Sequence, residues 1–197
     1  MRHLSLIRSF HFADVLTLAN GGCGMGAVML SVMHARDDRV LWLYLATVLV
    51  VAALVLDFFD GRVARWRQTH SLFGRELDSL ADIVSFGVAP ATIAFAAGLD
   101  SAPDAAILVF FMLCGLSRLA RYNVSAAGLA DDEGKVAYFE GTPIPTSIVP
   151  LLCLIAGVAA DTLGAIPIGG TTLHLLVLPF AVSGCLMVSK TLRVPKP

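Results

Sequence analysis

Apolar residues run in long stretches along this chain, at roughly 15–33, 40–56, 83–99, 105–116, 148–163 and 173–188, with the charged residues gathered between them. Runs of that length, without the alternation of a half-buried strand, predict helices. A bilayer with about 30 Å of hydrocarbon takes about 20 helical residues at 1.5 Å rise each, so the shorter runs are expected to continue into their polar flanks. The reading is an all-α polytopic membrane protein with six transmembrane helices, at about 15–33, 40–60, 76–99, 104–123, 146–163 and 173–190. Residues 1–12 mix Arg2 and Arg8 with Leu4, Ile7 and Phe10. That mixture favours an interfacial helix over 1–14 rather than a cleaved signal, because the first apolar run is itself long enough to span and no small-residue cleavage site follows.

Composition agrees: 57% of the 197 residues are hydrophobic and 15% charged, against about 25% charged in an ordinary soluble domain. The chain reads as one membrane domain, 1–197. A net charge of −1 supplies no basic field for nucleic acid. Cys23, Cys114, Cys153 and Cys185 lie in apolar runs without metal-binding spacing and read as packing residues. The basic residues decide orientation. Arg2, Arg8, Arg62, Arg65, Arg67, Arg75, Arg118, Arg121, Lys135, Lys190, Arg193 and Lys196 fall in one set of alternate connections, and only Arg36 and Arg39 in the other. The positive-inside rule therefore places both termini and the 62–75 and 118–142 connections in the cytoplasm. The acidic 128–135 stretch reads as a solvated cytoplasmic loop.

The acids carry the functional information. Asp57 and Asp60 end the second apolar run, and Asp78 and Asp82 open the third. Residues three or four apart share a helix face, so two facing helices would converge four carboxylates. Ionisable groups at membrane depth are costly and mark function, and clustered carboxylates repel unless a cation neutralises them. A hard divalent ion such as Mg²⁺ resolves this, since it takes carboxylate oxygens together with substrate phosphates. Capping helix ends or pairing with nearby arginines is the plainer role for any one of these acids alone. Gly61, Ala64 and Gly74 clear space for a close ligand, and Arg65, one turn beyond Gly61, has a planar fork suited to phosphate. There is no Walker loop and no GxGxxG before a helix.

The spacing Asp57-x-x-Asp60-Gly61-x-x-Ala64-Arg65, eight residues, then Gly74-x-x-x-Asp78-x-x-x-Asp82 resembles the complete signature of the CDP-alcohol phosphotransferases. The resemblance implies a six-helix homodimeric membrane enzyme that uses Mg²⁺ or Mn²⁺ to transfer a phosphoalcohol from a CDP-alcohol to a hydroxyl, releasing CMP. Residue by residue, it implies that Asp57, Asp60 and Asp78 hold one metal and Asp57, Asp78 and Asp82 a second, with Asp82 also the general base. Gly61, Ala64, Arg65, Ser71 and Gly74 would surround the cytidine diphosphate, and Asn20 would reach the phosphates or the cytidine. Asn20 has an alternative: an amide in Asn20-Gly21-Gly22-Cys23-Gly24-Met25-Gly26 can hydrogen-bond across a close helix contact formed by Gly22 and Gly26.

Within the family, DFFDGRVAR (57–65), FGRELDSLADIVSFGVAP (73–90), SRLARYN (117–123) and FEGTPIP (139–145) resemble the branch whose acceptor is L-serine and whose donor is CDP-diacylglycerol, in the cell membrane with the site facing the cytoplasm. A zwitterionic acceptor needs a cation for its carboxylate. Arg118 and Arg121, three apart on a continued fourth helix, with Asn123 beyond, are the candidates; headgroup snorkelling is their alternative. Arginines would also meet glycerol 3-phosphate or inositol phosphate, and choline-using branches share the carboxylate core, so charge alone does not decide. The 139–145 segment reads equally as a fixed turn and as a substrate contact. The rival from another class is a divalent-cation transporter; against it, the acids lie at one edge and no polar trail continues through the outer halves of the spans.

Overall fold

The computed structural model describes residues 12–67, 72–128, 138–189, 191 and 193–195. Helix α1 (Phe12–Asp37) carries Asp14 in its first turn and His34 and Arg36 in its last, each sign set against the opposite end of the helix dipole. It stops where Asp38 adopts φ 52° and donates its N–H to the His34 carbonyl at 2.8 Å, a left-handed C-terminal cap. After a two-residue connection, α2 (Val40–Arg67) returns along α1. One stripe of α1 is buried, Asp14, Thr17, Asn20, Gly24, Ala27, Ser31 and His34 at spacings of three and four, while Val15, Leu18, Met25, Met29 and Val32 are exposed. The polar stripe facing inward and the apolar one outward is the pattern of a helix whose outer face meets lipid.

The third apolar run is helical from Leu72 to Ala96 but in three parts: α3 (Leu72–Asp82), a π-helix (Ile83–Val88) and α4 (Ala89–Ala96). Pro90 explains the middle part. It has no N–H for the Phe86 carbonyl and its ring would strike that carbonyl in a regular α-helix. The widened turn avoids the clash, with the Ala89 N–H reaching back to the Val84 carbonyl. Helix α5 (Ala102–Gly128) is capped by Ser101, whose Oγ accepts the Asp104 N–H at 3.3 Å.

Strand β1 (Tyr138–Glu140) pairs antiparallel with β4 (Arg193–Pro195). Gly141 follows at φ 76°, where a Cβ would run into the Met187 carbonyl, and the Thr142 N–H bonds the Leu186 carbonyl at 3.2 Å. The 139–145 segment is thus a turn strapped to the end of α7 (Leu178–Val188). A 3₁₀ turn (Ile144–Ser147) leads into α6 (Ile148–Ala159); β2 (Ala165–Ile168) and β3 (Thr171–His174) form a hairpin, and a second 3₁₀ turn (Leu175–Val177) opens α7. The hairpin closes through Gly169 and Gly170, both at positive φ. It is pinned to the start of α5, where buried Asp104 accepts the His174 N–H at 3.0 Å, meets its ring Nδ1 at 2.5 Å and accepts the Ser101 hydroxyl at 2.6 Å. The apolar core joins Phe86, Ile93, Phe111, Ile144, Leu151 and Phe180, with the Phe111 and Phe180 rings edge to face at 5.3 Å.

Four helical spans, Asp14–Asp37, Val40–Arg62, Phe73–Ala96 and Ala102–Val124, are long and apolar enough to cross a bilayer, which makes this a multi-pass membrane protein. The last two apolar helical segments, Ile144–Ala159 and Leu175–Val188, are shorter than the expected 146–163 and 173–190. Asp161 at φ 51° and Gly164 at φ 64° end the first of them, and residues 165–174 go into the hairpin. The expected interfacial helix over 1–14 falls largely outside the described residues, as does the 128–135 loop.

Candidate active site

Helices α2 and α3 bring carboxylates together at one end of the bundle. Oxygens of Asp57, Asp78 and Asp82 lie within 4.8 Å of one another, with Asp82 buried and the other two half-buried. The spacing of four on α3 puts Asp78 and Asp82 on one face, where they meet Asp57 of α2. Asp60 takes a different position: its Oδ2 accepts the hydroxyl of buried Thr17 on α1, though it stays within electrostatic range of Asp57 and Asp78. The expected convergence of four acids is therefore a group of three with the fourth held beside it. Three acceptor-only carboxylates converging within two apolar spans form the oxygen donor set that suits a hard divalent cation, and such a cation would offset their mutual repulsion.

Helix α1 completes the wall. Asn20 is fully buried and its Nδ2 donates to Asp82 Oδ1 at 3.1 Å. Its backbone carbonyl accepts the hydroxyl of Ser85, in the π-helix, at 2.9 Å. The helices can come this close because Gly24 has no side chain: a Cβ there would lie 2.7 Å from Ser85 Cα and 2.9 Å from its N. Gly21 abuts Ala81 in the same way, at 3.4 Å from its Cβ. The expected contact through Gly22 and Gly26 differs. Gly22 has nothing within 4 Å among the described residues, and Gly26 meets the end of Leu49 on α2. The glycine face that matters lies two positions along, on the opposite side of the helix, because Gly24 shares the buried stripe with Asn20.

Helix α5 supplies Arg118, half-buried, within electrostatic range of Asp82 and with its Nε lacking a hydrogen-bond partner among the described residues. Arg121, one turn on, is half-buried too. Asn123 joins α5 to α3: its Nδ2 donates to Glu76 Oε2 at 3.1 Å and lies 3.0 Å from Ser79 Oγ, while its Oδ1 accepts the Ser79 hydroxyl at 3.2 Å. Both ends of that amide are engaged within the protein. Gly61 is exposed with open space around its Cα, and Gly74 is half-buried at the start of α3. Ala64 and Arg65 lie in the last turns of α2, and Ser71 lies outside the described residues.

Sequence reasoning missed Asp14, Thr17 and Ser85. A signal for the first two was present: Asp14, Thr17 and Asn20 are polar residues three apart at the mouth of an otherwise apolar helix, which places them on one face.

The chain matches the family described as CDP-alcohol phosphatidyltransferase over residues 10–188. It is 43% identical, over 99% of its length and 74% of the relative's, to a CDP-diacylglycerol--serine O-phosphatidyltransferase of Saccharomyces cerevisiae. A protein of the same name from Bacillus subtilis is 34% identical over 71% of this chain and 72% of its own. One from Helicobacter pylori is 40% identical over 64% of this chain and 52% of its own.

Proposed function

The chain belongs to the CDP-alcohol phosphatidyltransferase family, and from that premise we propose that it makes phosphatidylserine, transferring the phosphatidyl group of CDP-diacylglycerol to the hydroxyl of L-serine with release of CMP. The observation that carries the phosphotransfer reading is the convergence of Asp57, Asp78 and Asp82, with Asn20 bonded to Asp82 and Arg118 within electrostatic range of it. The activity printed for the relatives from Saccharomyces cerevisiae and Bacillus subtilis directs the acceptor to serine.

Asp57, Asp60, Asp78 and Asp82 would hold two divalent ions, Mg²⁺ or Mn²⁺. When bound, such ions polarise phosphoryl oxygens and neutralise charge on a departing phosphate. Asp82 accepts the proton of the serine hydroxyl as that oxygen bonds to the phosphorus bearing diacylglycerol, and the bond from that phosphorus to the CMP oxygen breaks. Thr17 keeps Asp60 turned toward α1. Gly61, Ala64 and Gly74 leave room for the cytidine diphosphate, and Arg65 and Ser71 offer it donors. Arg118 and Arg121 attract the serine carboxylate, and Asn123 fixes α5, which carries them, against α3.

In the membrane, this reading places the four long spans and the two shorter apolar segments as six crossings of the cell membrane, with both termini and the acidic cluster on the cytoplasmic side. The distribution of Lys and Arg over alternate connections supports it. The donor's diphosphate then lies at headgroup depth while its chains remain in hydrocarbon. The chain acts as a single domain and as a homodimer, as the family resemblance implies.

The test is CMP release by purified protein from CDP-diacylglycerol with Mn²⁺ or Mg²⁺, comparing L-serine, glycerol 3-phosphate, inositol phosphate, choline and no acceptor. Release that depends on serine is the expected result. Release with another acceptor would keep the carboxylate chemistry and overturn the serine assignment.

A further inference from the structure

We propose that Asn20 provides the hydrogen-bond acceptor for the ammonium group of the amino-acid substrate and so sets its hydroxyl beside Asp82, an inference that rests on the serine reading above. Asn20 is fully buried and its Nδ2 donates to Asp82 Oδ1 at 3.1 Å. A carboxylate only accepts, so this bond fixes which end of the amide faces Asp82. The other end, Oδ1, is buried and has no hydrogen-bond partner among the described residues. A buried amide oxygen without a donor is expensive, so this atom calls for an N–H or O–H from outside the chain.

The geometry restricts the source. In a planar amide the oxygen lies about 2.2 Å from the nitrogen, so the missing donor must come close to Asp82. The diphosphate offers only acceptors and cannot supply it. Serine carries its ammonium on the carbon next to the one bearing the hydroxyl. When the hydroxyl meets Asp82, the ammonium falls within the same short reach. Arg118, on α5, lies within electrostatic range of the same Asp82, and its Nε also lacks a partner among the described residues. An acceptor and a cation that both neighbour Asp82 match the two charges of an amino acid.

The experiment uses the full chain purified in detergent, with CDP-diacylglycerol and Mn²⁺, comparing wild type with Asn20→Ala. The expected result is a KM for serine raised about tenfold or more, with the KM for CDP-diacylglycerol and half-saturation by Mn²⁺ within about twofold. If Asn20→Ala does not fold, Asn20→Ser, whose hydroxyl is too short to reach, is expected to give the same split. Inhibition by 3-hydroxypropanoate, which is serine without its amine, should be equal in wild type and variant. A raised KM for CDP-diacylglycerol would assign Oδ1 to the cytosine amine, and a raised Mn²⁺ requirement would assign it to the metal. A fall in kcat at unchanged serine KM would leave Asn20 only orienting Asp82. Each of these overturns the proposal, as does unequal inhibition by the analogue. Absence of serine-dependent release by the wild type would overturn the serine reading and this inference with it.

Discussion

Placing a methyl group at Gly24 tests how the site is assembled. In Gly24→Ala the new Cβ would lie 2.7 Å from Ser85 Cα and 2.9 Å from Ser85 N. These are backbone atoms of the π-helix, so no rotamer change relieves them, and α1 must move away by about 0.7 Å to restore ordinary contact. Overpacking of this kind costs about 1–3 kcal/mol. Helix propensity favours alanine over glycine by about 1 kcal/mol, but this gain is shared by Gly22→Ala, where the methyl meets nothing within 4 Å among the described residues. The difference between the two variants isolates the packing term. It should appear as an apparent Tm lower by roughly 2–10 °C in Gly24→Ala than in Gly22→Ala. Moving α1 by that distance also carries the 3.1 Å bond from Asn20 to Asp82 beyond hydrogen-bonding range. Turnover should therefore fall by about 10- to 100-fold in Gly24→Ala and stay near wild type in Gly22→Ala. Gly26→Ala should lie between them, since its new contact is the flexible end of Leu49. Equal stability and full turnover in Gly24→Ala would refute the close contact of α1 with the π-helix.

Other changes separate the parts of the site. Asp82→Asn should lower kcat by at least about 10²-fold while CDP-diacylglycerol still binds; wild-type turnover in a CMP-release assay would remove Asp82 from the role of base. Stripping divalent ions with a chelator should abolish CMP release, and added Mn²⁺ or Mg²⁺ should restore it. In Asp78→Asn the metal concentration for half-maximal activity should rise by about tenfold or more, and an unchanged metal titration would exclude Asp78 as a ligand. At the opposite end, Asp104→Ala removes the partners of Ser101 and His174, which should destabilise the protein by about 2–4 kcal/mol. Its kcat should stay within about twofold, because Asp104 lies roughly 21 Å along α5 from Arg118, and a large loss of kcat at permissive temperature would show that the hairpin reaches the chemistry.

What the sequence made legible follows from which interactions are local. The acids at 57, 60, 78 and 82 sit three or four apart, so the helical period alone puts each pair on one face, and membrane cost marks them as functional. Whether all four converge depends on α1: Thr17 draws Asp60 aside through a contact 43 positions away in sequence, which no periodicity reveals. The spans were legible where apolar runs were long and failed at 160–174, where an apolar stretch containing β-branched residues and the Gly169-Gly170 turn prefers a hairpin to continued helix. The π-helix lies between these cases. Pro90 announced that the α-helix could not run regularly through Phe86, but the sequence does not say whether the chain kinks, breaks or widens there. It widens, because Ser85 can then place its hydroxyl on the Asn20 carbonyl and its backbone against Gly24, a fit that a regular turn, rotated by about 100° per residue, would carry off that face.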